Sequence, residues 1–147
     1  MEYLPDPSCL SPELSKELEI KREVGVVEHK DLKIDSINQA MMKNKIIHSQ
    51  NLRQVTDYVA NSRSIITNSY HVAYWGTLMS KKVVVIDKFS SKFDYYKYKP
   101  EFLKGNLNGQ IPDSTIYATL EKAKIYNGAL YMRPGRSTAI FSKELDQ

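Results

Sequence analysis

Mostly apolar, β-branched runs punctuate the chain and are separated by stretches with helical spacing. The runs occupy residues 23–29, 45–48, 64–67 and 82–87. Their short length and β-branched content predict strands. The last two lack alternation between apolar and polar residues, which is typical of strands buried on both faces of a parallel sheet.

Between these runs, apolar residues recur with the period of a helix. Leu52, Val55, Tyr58 and Val59 predict an amphipathic helix that ends near Ser62. Helices are also predicted over 70–79, which is apolar on nearly all sides, and from 113 or 114 to about 127. Residues 30–44 have only partly helical spacing and stay ambiguous, and the polar, aromatic stretch after Asp87 predicts no regular element.

The order of these elements predicts the fold. Alternating strands and helices form βαβ units with right-handed crossovers, so we expect an α/β, three-layer, Rossmann-like domain with a mostly parallel sheet. A length of 147 residues fits one domain. We assign residues 1–131 to it, with 1–22 as a proline-containing extended entry segment and 132–147 as a polar, poorly ordered tail.

Composition narrows the class of protein. Hydrophobic residues make up 41% and charged residues 26% of the chain, as in globular proteins. The single cysteine excludes an internal disulfide and fits a reducing compartment. The sequence has no apolar run of transmembrane length and no signal peptide at its start, so we expect a cytoplasmic protein or one peripheral to the inner membrane.

Polar residues follow the predicted strands, where ligands bind in open α/β sheets. Asn68, Ser69 and His71 lie after the third strand, at the start of the next helix. The N-terminus of a helix favours an anion. His71 is the candidate for proton transfer. The alternative is that Ser69 only caps the helix and that the histidine only packs.

Two further groups follow other strands. Ser90, Ser91 and Lys92 lie in the loop after the fourth strand and carry groups that bind phosphate oxygens. His29 and Lys30 follow the first strand. We expect all three groups at one edge of the sheet, and in both loops the alternative is a solvated surface without a ligand.

Other signals are weaker. The three histidines and one cysteine show no zinc spacing, so no metal is expected. The net charge of +4 is too small by itself to indicate nucleic-acid binding. The Lys- and Tyr-rich stretch at 92–104 is compatible with an alternative function, a non-catalytic module that binds nucleic acid or another protein. The rings of such a stretch more often pack on neighbouring elements.

A set of short segments resembles the carboxyl-terminal half of polysaccharide pyruvyl transferase-like proteins and of related twin-Rossmann (GT-B type) glycosyltransferases of bacteria. The segments are Asn68-Ser69-Tyr70-His71, Lys81-Lys82-Val83-Val84-Val85 and Phe89-Ser90-Ser91-Lys92-Phe93, together with 3–9 and 23–30. The resemblance therefore runs from about residue 3 to about residue 95.

The resemblance implies the donor-binding half of a transferase for cell-surface polysaccharide. The implied ligand is a phosphate-activated donor, either a nucleotide sugar or phosphoenolpyruvate, with no other cofactor. By position, Ser69, His71 and Ser90 to Lys92 match the family's pattern. Val72 departs from it, because the family commonly has glycine there and a Cβ would crowd a close backbone approach.

The family's amino-terminal acceptor domain has no counterpart in this chain. The chain is therefore expected to be a fragment, a remnant or one subunit of a two-chain enzyme, and to be inactive alone. We expect its unpartnered apolar surface, in the entry segment and at 93–98, to pair in a two-fold homodimer. A monomer with these rings folded onto its own core is the alternative.

Overall fold

A computed structural model describes residues 18–48, 51–88, 99–105 and 110–126. Within them lie five strands and four helices, which are β1 (Arg22–His29), α1 (Gln39–Met42), β2 (Ile46–His48), α2 (Leu52–Ala60), β3 (Ser62–Thr67), α3 (Tyr70–Leu78), β4 (Lys82–Ile86), β5 (Glu101–Leu103) and α4 (Asp113–Lys122). Most of the predicted entry segment and the whole predicted tail lie outside these residues.

The five strands form one sheet in the order β2-β1-β3-β4-β5. Every neighbouring pair is parallel, with Val27 beside Thr67 and Thr67 beside Val85 across the three central strands. This order is one of the two common orders of doubly wound sheets. The predicted α/β, Rossmann-like fold is confirmed.

Helices cover both faces of the sheet. Successive strand residues point to opposite faces, so Val27, Ile65 and Val85 pack under α2 and α3. Val26, Ile66 and Val84 point the other way and pack under α1 and α4. Two apolar cores with the sheet between them give the three layers that the sequence predicts.

The ends of the elements differ modestly from the predicted ones. Residues 30–44 contain only the single turn α1, which Asn38 caps by accepting from the N–H of Met41. The last helix ends at Lys122 because Ala123 adopts extended backbone angles, with ψ of 137°. β5 was not predicted, since three half-buried residues give too short a pattern to recognise.

Tyr58 on α2 completes the hydrogen bonding of β1. Its hydroxyl accepts from the N–H of Val26 at 2.9 Å and donates to the carbonyl of Asn44 at 3.0 Å. Val26 lies one residue before β2 begins to pair with β1. Burial raises the pKa of Tyr58, against the opposing effects of the Val26 hydrogen bond and the Arg22 guanidinium, so the phenol is protonated at neutral pH.

Candidate functional site

The strand order places a crevice between the carboxyl ends of β1 and β3. The chain leaves β1 toward β2 through α1 on one face of the sheet, and leaves β3 toward β4 through α3 on the other face. The two connections diverge here, and such a switch point is where open α/β sheets bind their ligands. Two of the three predicted groups, His29 with Lys30 and Asn68 to His71, border this crevice.

Asn68 joins the two sides of the crevice. Its Oδ1 accepts from the N–H of His29 at 2.7 Å, and its Nδ2 donates to the carbonyl of Leu32 at 2.8 Å. The side chain is 4% exposed. Asn68 therefore fixes the loop after β1 against the loop after β3, and it shapes the predicted site through the backbone.

The first turn of α3 faces the same crevice. Ser69 caps it, with its Oγ accepting from the N–H of Val72 at 3.4 Å, and is almost fully buried. The N–H of Ser69 itself donates to Thr67 Oγ1 at 3.0 Å, and that hydroxyl donates to the carbonyl of Val27 at 2.7 Å. These bonds aim the first N–H groups of α3 along the helix axis toward the carboxyl edge.

His71 is the exposed side chain of this turn. Its imidazole lies edge-on to Tyr70, with ring centroids 5.5 Å apart, and 5.9 Å from the ring of Trp75. Both neighbouring rings are buried, so they restrict how the imidazole turns. His71 combines solvent access with a fixed position at a helix N-terminus, the arrangement that binding or protonating an anionic group requires.

His29 and Lys30 form the opposite side of the crevice. The Nδ1 of His29 accepts from the N–H of Asp31 at 3.0 Å, which places the proton of the neutral ring on Nε2. Lys30 is exposed. The turn thus offers the Lys30 cation and the Nε2 side of His29 close to the N-terminus of α3, beside the exposed carboxylate of Asp31.

Asp87 anchors the loop that follows β4. It has a φ of 49°, in the left-handed region, and its N–H donates to the carbonyl of Leu103 at 2.8 Å. Its carboxylate accepts from the hydroxyl of Ser36 and from the N–H of Gly105. Asp87 thereby ties the loops after β1, β4 and β5 together. The predicted phosphate-binding residues Ser90, Ser91 and Lys92 come next in the chain and lie outside the described residues.

Glu28 supports the site from the opposite face of β1. Burial alone would raise its pKa, but the hydrogen bond from the N–H of Ile34 and the ammonium of Lys45 outweigh burial and hold the pKa below the ordinary 4.5. The distances are 2.8 Å to Ile34 N and 2.9 Å to Lys45 Nζ. An ionised Glu28 therefore braces the loop that carries Lys30.

Sequence reasoning did not single out Glu28, Ser36, Thr67 or Asp87 as site residues. The sequence does contain a feature that could have identified Glu28, since an acid inside an otherwise apolar strand needs a partner when it is buried. No sequence feature identifies Ser36, because its partner Asp87 lies 51 residues away along the chain. The roles of Asn68 and Ser69 as donor ligands and of His71 in catalysis stay predictions.

Comparisons with protein-family models, with curated proteins and with solved structures found no match. The fold class stands on the sheet topology, while the family remains a prediction from the residues that resemble it. Within the described residues, no helix is long and apolar enough to cross a membrane, and no cluster of His, Cys, Asp or Glu is arranged to hold a metal ion.

Proposed function

We propose that the chain is the donor-binding domain of a bacterial cell-surface polysaccharide transferase, of the glycosyl or pyruvyl transfer type. The ligand is a phosphate-activated donor, a nucleotide sugar or phosphoenolpyruvate, bound at the carboxyl edge of the sheet. The observation that carries the proposal is the meeting of the Asn68–His71 turn with the His29–Lys30 turn at the switch point between β3 and β1.

The electrostatics of the crevice support an anionic ligand. The first turn of α3 contributes about half a positive charge, and Lys30 lies on the opposite side. The histidines add N–H donors, and the exposed Asp31 is the acid that follows Lys30 in the turn. A phosphate or carboxylate between the turns would therefore meet donors from both sides.

His71 has the central role in the proposal. Its exposed imidazole donates to the phosphate of the leaving group, or to the phosphate of phosphoenolpyruvate, as negative charge develops there. The helix N-terminus and Lys30 stabilise the same charge. The acceptor binds a separate domain or a partner subunit, in line with the family resemblance.

Calorimetric titration of the chain with a panel of nucleotide sugars and with phosphoenolpyruvate tests the proposal. One member of the panel should bind with a Kd below about 1 mM. His71→Gln and Lys30→Ala should each weaken that binding about tenfold or more. The first replaces a ring held by Tyr70 and Trp75 with a flexible amide, and the second removes a charged hydrogen-bond donor. Lys122→Ala, which removes an exposed lysine from the end of α4, is the matched control and should leave the Kd unchanged.

Absence of binding across the panel would overturn the proposal, as would a Kd that His71→Gln and Lys30→Ala do not alter. Measuring binding at increasing salt concentration distinguishes the donor-binding domain from the alternative, a nucleic-acid-binding module. Affinity for an oligonucleotide that exceeds affinity for every donor and falls steeply with salt would identify a nucleic-acid-binding module instead.

A further inference from the structure

A separate cavity lies at the carboxyl ends of β4 and β5, at the same edge of the sheet as the proposed donor site. Its volume is about 300 Å³, and the described residues that line it are Asp87, Lys88, Phe102, Leu103 and Lys104. None of them belongs to the two turns that border the switch point. Thr67 at the end of β3, Val85 and Phe102 lie side by side in register, so two strand spacings, about 10 Å, separate this cavity from the crevice.

Asp87 clamps the residues on either side of Lys104. Its N–H donates to the carbonyl of Leu103 at 2.8 Å, and its Oδ1 accepts from the N–H of Gly105 at 2.7 Å. Lys88 follows Asp87 directly in the chain. These bonds therefore fix the backbone at Lys88 relative to the backbone at Lys104, and they bring both lysines to one cavity.

The Lys88 ammonium has a defined position at the wall of this cavity. It lies over the ring of Phe102, 5.5 Å from the ring centroid, which is within the range of a cation–π contact. The Phe102 side chain is half-buried and packs against the apolar core under α2 and α3. A lysine whose head group rests on a fixed ring loses less side-chain freedom when it binds an anion.

The charges around the cavity favour an anion. Among the described residues that line it, Lys88 and Lys104 supply two exposed cations against the one carboxylate of Asp87. That carboxylate already accepts from the hydroxyl of Ser36 and from the N–H of Gly105, so donors of the protein stabilise its charge. Each ammonium offers several N–H donors, and the oxygens of a phosphate group accept such donors.

We propose that this cavity binds the phosphate group of a small phosphorylated molecule, between the ammonium groups of Lys88 and Lys104. The organic part of the molecule lies against Phe102 and Leu103. The volume is at the lower end of the range of about 300–1,000 Å³ that small-molecule sites have. The site is made by other residues than the donor site, and neither proposal depends on the other.

Phenyl phosphate and phenol, which share a ring and differ by the phosphate group, test the proposal. Each is titrated into the chain and followed by backbone amide NMR shifts. Phenyl phosphate should move the amides of residues 87–88 and 102–105 with a Kd below about 5 mM. Phenol should leave these amides in place over the same concentrations, because the cavity recognises the phosphate.

Lysine substitutions locate the phosphate group. Lys104→Ala should weaken the Kd measured at these amides about fivefold or more, because it removes a charged hydrogen-bond donor. Lys104→Arg keeps the charge and should stay within about threefold of the wild type. Lys99→Ala is the matched control and should leave the Kd unchanged, since Lys99 is an exposed lysine just before β5 that does not line the cavity.

Three results would overturn the proposal. One is the absence of shifts at residues 87–88 and 102–105 with phenyl phosphate up to about 20 mM. Another is an equal response to phenol, which would mean that the cavity takes only the ring. The third is a Kd that Lys99→Ala or Lys30→Ala weakens as much as Lys104→Ala does. That result would mean that the anion responds to the overall charge of the chain or binds at the donor site.

Discussion

Gly25 on β1 lies against Tyr58 of α2 and Ser62 of β3. A Cβ at this position would be 2.8 Å from Tyr58 Cε1 and closer still to Ser62 Oγ. Both neighbours are held by hydrogen bonds, since the Tyr58 hydroxyl bridges Val26 and Asn44 and the Ser62 hydroxyl donates to the carbonyl of Tyr58. The site therefore has no room to adjust.

Gly25→Ala should lower the free energy of unfolding by about 1–3 kcal/mol, the usual cost of overpacking. Chemical denaturation with an unchanged m-value measures it. Gly76→Ala is the comparison, because its Cβ would meet a single atom closer than 3.0 Å, Val83 Cγ2 at 2.8 Å, and because alanine favours the helix. The packing around Gly25 would be contradicted if Gly25→Ala lowered the free energy of unfolding no more than Gly76→Ala does.

Glu28 gives the stability of the chain a specific dependence on pH. Its folded pKa lies below the ordinary 4.5, so its contribution is complete above that pH and is lost as pH falls through the folded pKa. Glu28→Gln should cost about 1–3 kcal/mol at pH 7, because the amide pairs poorly with the Lys45 ammonium. The deficit should shrink below pH 4.5.

Chemical denaturation of the wild type and of Glu28→Gln, at acidic and at neutral pH, measures the difference in their free energy of unfolding. The exposed Glu19→Gln should show no comparable deficit. A Glu28→Gln deficit of the same size at acidic and neutral pH would show that Glu28 acts through packing and not through its charge.

At the scale of elements, Asn68 couples the loop after β1 to the turn before α3. Asn68→Ala removes the side-chain amide, and with it the hydrogen bonds to the N–H of His29 and to the carbonyl of Leu32. We expect a loss of about 2 kcal/mol or more, and faster hydrogen exchange at residues 29–34 than elsewhere.

Native-state hydrogen exchange followed by NMR is the measurement. Asn44→Ala is the matched control, since Asn44 is an exposed asparagine whose backbone carbonyl, which the substitution keeps, accepts from the Tyr58 hydroxyl. Uniform acceleration over the whole sheet, with no excess at 29–34, would show that Asn68 does not join the two loops.

The sequence predicted the elements whose pattern is strong and local. β3 and β4 are short runs rich in β-branched residues, α2 has a cap and amphipathic periodicity, and α3 has a cap and is apolar on nearly all sides. All four were therefore predicted to within about two residues. β5 was missed because its three residues are stabilised by pairing with β4 across a long connection. α4 was predicted five residues too long, since Tyr126 continues the apolar spacing after the backbone has become extended.

The candidate site was predictable in location more than in detail. Polar residues after strands, together with the parallel sheet, indicated the carboxyl edge for His29, Lys30, Ser69 and His71. What Asn68 bonds to could not be predicted, because its partners are backbone groups 36 and 39 residues away. Pairings of that kind depend on the register of β1 with β3, which the pattern of residues does not encode.

At the scale of the whole molecule, a donor domain alone should lack transferase activity. Holding donor and acceptor together lowers the barrier by about 7–11 kcal/mol, and under the proposed function this chain supplies only the donor side. We expect no turnover of a nucleotide sugar or phosphoenolpyruvate in a coupled assay with the chain by itself, and turnover once the acceptor domain or subunit is added. Efficient single-chain turnover would contradict the half-site account.

The central claim is that the switch point between β1 and β3 binds a phosphate-activated donor. Amide NMR shifts, recorded while the donor that binds in the titration panel is added, test it most directly. The account predicts that the largest shifts cluster at residues 29–31 and 69–72, and that they are several-fold smaller in His71→Gln when the donor concentration is close to the wild-type Kd. Shifts centred on the amino-terminal edge, at Ser64 and α4, or equal shifts in wild type and His71→Gln, would contradict it.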